Sequence, residues 1–110
     1  FAATLEELQD ASLLLHLVDI SAPDFEERIT SVENILKSMD LHEKRKIIVF
    51  NKVDRVERSI IENVEHRFNA VSISCTKNIG IERLIAYIDQ VLSENTDSTA
   101  VDLNENVAIV

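Results

Sequence analysis

Apolar residues in this chain alternate between two periods. Thr4-Leu5-Glu6-Glu7 has the form of a capping box, which predicts a short helix running to about Ala11. Ser12 to Val18 is apolar almost without interruption and stops at Asp19, as expected of a strand covered on both faces. After Ser21-Ala22-Pro23-Asp24, the residues Phe25, Ile29, Val32, Leu36 and Met39 recur at spacings of four, three, four and three, one stripe of an amphipathic helix. The unit then repeats. Lys46 to Phe50 reads as a second buried strand ending at Asn51, and Ile60, Ile61, Val64 and Phe68 mark the helix behind it. Ala70 to Ile73 reads as a third strand, followed past Gly80 by a helix carrying Leu84, Ile85, Ile88, Val91 and Leu92.

Strands alternating with amphipathic helices predict an α/β fold of three layers, with three parallel strands forming half of a doubly wound sheet. Ser93 to Ala100 is polar and rich in turn formers, so it reads as a linker, and Val107 to Val110 reads as a strand cut short at the start of another domain. The expected organisation is therefore one domain over 1–92, with 93–110 as linker and the start of a following segment. A chain of 110 residues suits one small domain, and 45% apolar with 28% charged residues describes a folded one. The opening residue, Phe1, points to a piece of a longer protein.

Charge and rare residues exclude several functions. A formal charge of −9 repels phosphate backbones and argues against a nucleic-acid-binding module. Gly80 is the single glycine, whereas a phosphate-cradling loop needs two and a dinucleotide-binding turn three. The one cysteine, Cys75, allows no internal disulfide, which points to a reducing, cytoplasmic setting. His16, His42 and His66 show no metal-ligand spacing, and no apolar run reaches the length of a membrane span.

Ligands of open parallel sheets bind beyond the carboxyl ends of the strands. Here those ends carry Asp19 to Ser21, Asn51 to Asp54 and Ser74 to Thr76. Asn51-Lys52-Val53-Asp54 matches the Asn-Lys-x-Asp pattern with which GTP-binding proteins read guanine, and Ser74-Cys75-Thr76 lies close to the segment that closes over the same base. Guanine presents N1–H and an exocyclic amine side by side, and the Asp54 carboxylate can accept from both. Adenine would leave that carboxylate facing a lone pair, a mismatch that discriminates by ~10⁴ or more. Asn51 can donate to N7 and tie its loop to a neighbouring one. The Lys52 stem can lie along the purine face with its ammonium in water, and a backbone N–H near Cys75 can donate to O6. Of the remaining candidates, His16 reads as a hydrogen-bonded core residue, Cys75 as a small packing residue, and Asp19 as either a helix-approach residue or part of the site.

Thr4-Leu5-Glu6-Glu7, Ala11 to Asp19, Pro23-Asp24-Phe25-Glu26-Glu27 and Asn51-Lys52-Val53-Asp54 together resemble the HflX family of ribosome-associated GTPases, over about residues 1–92. The resemblance implies the parallel-sheet half of a P-loop NTPase (G-domain) fold. It implies a parent that is a cytoplasmic GTPase, binds GTP or GDP with Mg²⁺, and acts on the large ribosomal subunit. The guanine-binding residues carried over are Asn51, Lys52, Asp54, Ser74, Cys75 and Thr76. The phosphate loop and both switch motifs are missing, so no residue here is expected to carry hydrolysis or hold a metal, and the fragment alone is expected to be inactive and to bind nucleotide weakly. Cys75 stands where alanine is usual, and Lys77-Asn78 where Thr-Gly is common. The competing readings are a non-catalytic α/β protein-interaction module and the C-terminal half of a different G-domain family. Self-association is expected if apolar sheet surface is left open.

Overall fold

The computed structural model describes residues 3–94 and 107–110. Helix α1 (Leu5–Asp10) precedes strand β1 (Leu13–Asp19), helix α2 (Phe25–Ser38) and strand β2 (Lys46–Asn51). Helix α3 (Arg58–Phe68), strand β3 (Val71–Ser72), helix α4 (Ile81–Glu94) and strand β4 (Val107–Ile109) complete the order. The strands form one parallel sheet in the order β3-β2-β1-β4.

Local chemistry explains several boundaries. The Thr4 hydroxyl accepts from the Glu7 N–H at 3.2 Å, closing the first turn of α1. Asp24 precedes α2 without a side-chain cap bond and instead pairs with Arg28 one turn along, at 3.0 Å. Asn69 ends α3 in the left-handed conformation, where its N–H reaches the Glu65 carbonyl.

Alternation along the strands sorts the core into two layers. Leu13, Leu15, Ile47, Val49, Val71 and Ile73 face α4, which covers them with Leu84 and Val91. On the opposite face, Val18, Ile48 and Phe50 pack against Ile29 of α2 and Val64 of α3. Leu14 and Ala108 pack there with Leu8 of α1 and Leu36 of α2. Phe50 is fully enclosed, with the Phe25 and Phe68 rings edge-on at 5.8 and 5.7 Å.

Three expectations change. Val107–Ile109 is a fourth strand of the same sheet, paired with Leu13–Leu15, and does not open a separate one. The free edge of β1 offers a row of unpaired backbone groups, and Val110 completes the match by accepting from the Leu17 N–H and donating to the Leu15 carbonyl. Ser93 and Glu94 belong to α4 rather than to a linker, and the remainder of the expected linker lies outside the described residues. His16 is a core residue, 3% exposed, but its Nδ1 has no hydrogen-bond partner among the described residues. Burial, with the nearby Lys46 charge, pushes its pKa down to about 4 against the opposing pull of Glu33.

Candidate functional site

Parallel pairing brings all the sequence-predicted loops to one edge of the sheet. Asp19 and Asn51 are register partners at the carboxyl ends of β1 and β2. Lys52 then turns the chain in the left-handed conformation, at φ 67°, into a single 3₁₀ turn over Val53–Arg55. Val53 is buried against Phe50 and Val64, and its N–H donates to the Ile73 carbonyl at 3.3 Å. The variable position of the Asn-Lys-x-Asp pattern is thus the hydrophobic anchor of its loop, and its burial directs Asp54 to the exposed rim.

The loop after β3 is closed by reciprocal Ser74 and Ile79 backbone bonds, both 3.0 Å. Gly80 allows that closure. It sits at φ +75°, and a Cβ there would lie 2.5 Å from the Ser72 carbonyl oxygen.

Two side-chain hydrogen bonds also join the loops. The Ser74 hydroxyl, fully buried, donates to Asp54 Oδ1 at 2.7 Å. The Asn51 side-chain oxygen accepts from the Lys52 N–H at 2.8 Å and from the Cys75 N–H at 3.2 Å. Ser74 also accepts from the Lys77 N–H at 3.2 Å and lies 3.4 Å from the Thr76 hydroxyl. Asn51, Lys52, Asp54, Ser74, Cys75 and Thr76 are therefore brought together at one rim by hydrogen bonds within and between the two loops. The Ser74 hydroxyl bond holds the Asp54 carboxyl below the usual range, so Asp54 is an anion with Oδ2 left to accept.

Details of the cluster correct the sequence reading. The Cys75 side chain is exposed, not packed, and its N–H is occupied by Asn51. The Lys52 ammonium, half exposed, also has a partner that the sequence reading lacked: Nζ donates to Asp19 Oδ2 at 2.9 Å. Asp19 Oδ1 accepts in turn from the Ser21 N–H at 2.9 Å and the Ser21 hydroxyl at 2.6 Å. The Ser21 bonds first, and Lys52 second, draw the Asp19 pKa down to about 2. The available sequence signal was an Asp followed two residues later by Ser, the pattern of a side-chain turn.

A cavity of about 620 Å³ is not cupped by these loops. It lies between α3 and the segment around Ile79 to Arg83, and of the predicted residues only Asp54 lines it. The predicted cluster is an open rim, polar and internally wired. Among the described residues, no group of three or more His, Cys, Asp or Glu is arranged to hold a metal ion, and no helix is long and apolar enough to cross a membrane.

A parallel sheet between helices, with an Asn-Lys-x-Asp loop and a serine loop joined beyond its carboxyl edge, is the framework of the C-terminal half of a G domain. No family model matches the chain. It is 38% identical over 87 residues to GTPase HflX of Magnetococcus marinus, covering 78% of this chain and 20% of that protein. It is 37% identical over 97 residues to GTPase HflX of Caldanaerobacter subterraneus, covering 88% and 22%. The Escherichia coli GTPase HflX is 34% identical over 96 residues, covering 84% and 22%. The chain belongs to the HflX family, and it spans about a fifth of the length of these curated relatives.

Proposed function

We propose that this chain supplies the guanine-reading edge of an HflX-type GTPase, its four-stranded sheet and the helices around it forming the C-terminal portion of the G domain. The observation that carries the reading is the Asp54 carboxylate, presented at the rim on a buried Ser74 hydroxyl with one oxygen free. Each carboxylate oxygen has two lone pairs, so Oδ1 keeps one beside its bond from Ser74 and, together with Oδ2, accepts N1–H and the exocyclic amine of guanine. Asn51, whose oxygen is occupied by two backbone N–H groups, keeps its amide protons for the base N7. Since Asn51 takes the Cys75 N–H, the donor to O6 comes from the neighbouring Thr76 backbone.

The same reading extends to the parent. GTP hydrolysis, Mg²⁺ and binding to the large ribosomal subunit in the cytoplasm belong to it as a whole, and the phosphate-holding residues lie outside this chain. The net charge of −9 supports the reading that any ribosomal contact comes mainly from those other parts. Alone, the chain binds guanine nucleotide weakly and hydrolyses none.

Comparing amide spectra with GTP, GDP and ATP at millimolar concentration tests this reading. Shifts confined to Asn51 to Asp54 and Ser74 to Thr76, with the guanine nucleotides only, are expected. Equal shifts with ATP, or none at those residues, would favour a protein-interaction module instead.

A further inference from the structure

We propose that Asp19 is a positioning residue for nucleotide binding, fixing the Lys52 side chain as a rigid shelf against the purine face; this rests on the guanine reading given above. Its carboxylate is fully engaged. Ser21 holds Oδ1 through both its N–H and its hydroxyl, which orients the group, and Oδ2 then receives Lys52 Nζ at 2.9 Å. Strand register makes the pairing possible, because Asp19 lies beside Asn51 and so within reach of the residue that follows it. Lys52 is also unusual in its backbone, left-handed at φ 67°, so both ends of its side chain are fixed: one by the turn, the other by Asp19.

The exposure of the pair separates a positioning role from a merely stabilising one. The side chains are 40% and 32% exposed, and ion pairs this wet contribute little to folding. What the bond removes is freedom: a lysine stem otherwise samples many rotamers and must be ordered each time a ligand packs on it. With Nζ tethered, the four-carbon stem bridges the ends of β1 and β2 and offers an apolar surface close in sequence to Asp54, ready for the flat face of a base. The low Asp19 pKa of about 2 keeps the tether ionised throughout the physiological range. Stacking does not read the base edge, so Asp19 raises affinity for every purine that fits the rim and leaves selection to Asp54.

Titrations of the full 110-residue chain with GDP and with IDP, which lacks the exocyclic amine, separate the two roles. Asp19→Asn should weaken GDP and IDP alike by about three- to tenfold, the cost of ordering one long side chain, with their ratio unchanged. Lys52→Met should remove that sensitivity, so that adding Asp19→Asn causes no further loss, and Asp19→Glu should recover part of the affinity. Asp54→Ala should instead collapse the GDP-to-IDP ratio. If Asp54→Ala acts as expected but Asp19→Asn changes neither affinity, or acts equally with and without Lys52→Met, the positioning role is wrong and the guanine reading stands. If Asp54→Ala leaves the ratio untouched, the guanine reading fails and the Asp19 role fails with it.

Discussion

The two halves of the sheet are finished to different degrees. Over β2 and β3 both faces are covered, by α3 on one side and α4 on the other, and the loops beyond their carboxyl ends are bonded to each other. Toward β4 the cover among the described residues is one-sided. There α1 and α2 bury one face, while on the other Leu17, Val107 and Ile109 are 41%, 37% and 45% exposed. The half that carries the Asn-Lys-x-Asp pattern is therefore covered on both faces, although the buried Ser72 hydroxyl has no partner among the described residues, whereas the other half leaves apolar side chains exposed on one face.

Breaking the finished half should have the largest effect. In Gly80→Ala a Cβ is forced toward the Ser72 carbonyl at positive φ, so we expect a loss of about 3 kcal/mol in urea denaturation. The Ser74 and Ile79 bridge should open, and amide exchange at both residues should rise. Stability within about 0.5 kcal/mol of wild type would show that the loop does not depend on that close approach.

An effect of similar size is expected from acid, and it originates in the β1 half. His16 has a folded pKa near 4 against an ordinary value of 6.5, so the unfolded chain takes up its proton first as pH falls. Stability contributed by keeping the ring neutral is complete above about pH 6.5 and is lost progressively down to about pH 4, on the order of 3 kcal/mol in all. His16→Leu should flatten that part of the pH profile without lowering stability at pH 7, because the substitution also removes a buried nitrogen lacking a partner among the described residues. An unchanged slope between pH 6.5 and 4 would assign it to other groups. Asp19, by contrast, keeps its charge until the pH falls toward 2, so its bonds should persist across this window.

The smallest effect on folding should come from the open face. Leu17→Ser with Ile109→Ser removes exposed apolar side chains, so the stability of one molecule should change by less than about 0.5 kcal/mol. The same pair of substitutions should weaken self-association at high concentration, measured by light scattering. A wild-type chain that stays monomeric there would show that the patch does not drive association.

How far these features could be read in advance depends on the range of the interaction. Asn51 to Asp54 announced themselves because an apolar strand, a polar strand end and a four-residue pattern are all local. The layers followed from periodicity for the same reason. Strand β4 was legible as a strand but not as part of this sheet, since its place was decided by the open edge of β1, far back in the sequence. The Lys52 tether was equally hidden: its partner is 33 residues away, and only the Asp19 to Asn51 register brings them together. The lack of a partner for His16 Nδ1 among the described residues likewise depends on what lies around the ring and not on its neighbours in sequence.

The central claim is that Asp54 reads the donor edge of guanine, and a change of base partner tests it most directly. Xanthine replaces the exocyclic amine with a carbonyl, and asparagine can meet that edge with one acceptor and one donor. Titrating the wild-type chain and Asp54→Asn with GDP and XDP should therefore reverse the preference, wild type favouring GDP and the variant XDP. A ratio of the two affinities that is the same in both proteins would contradict the account.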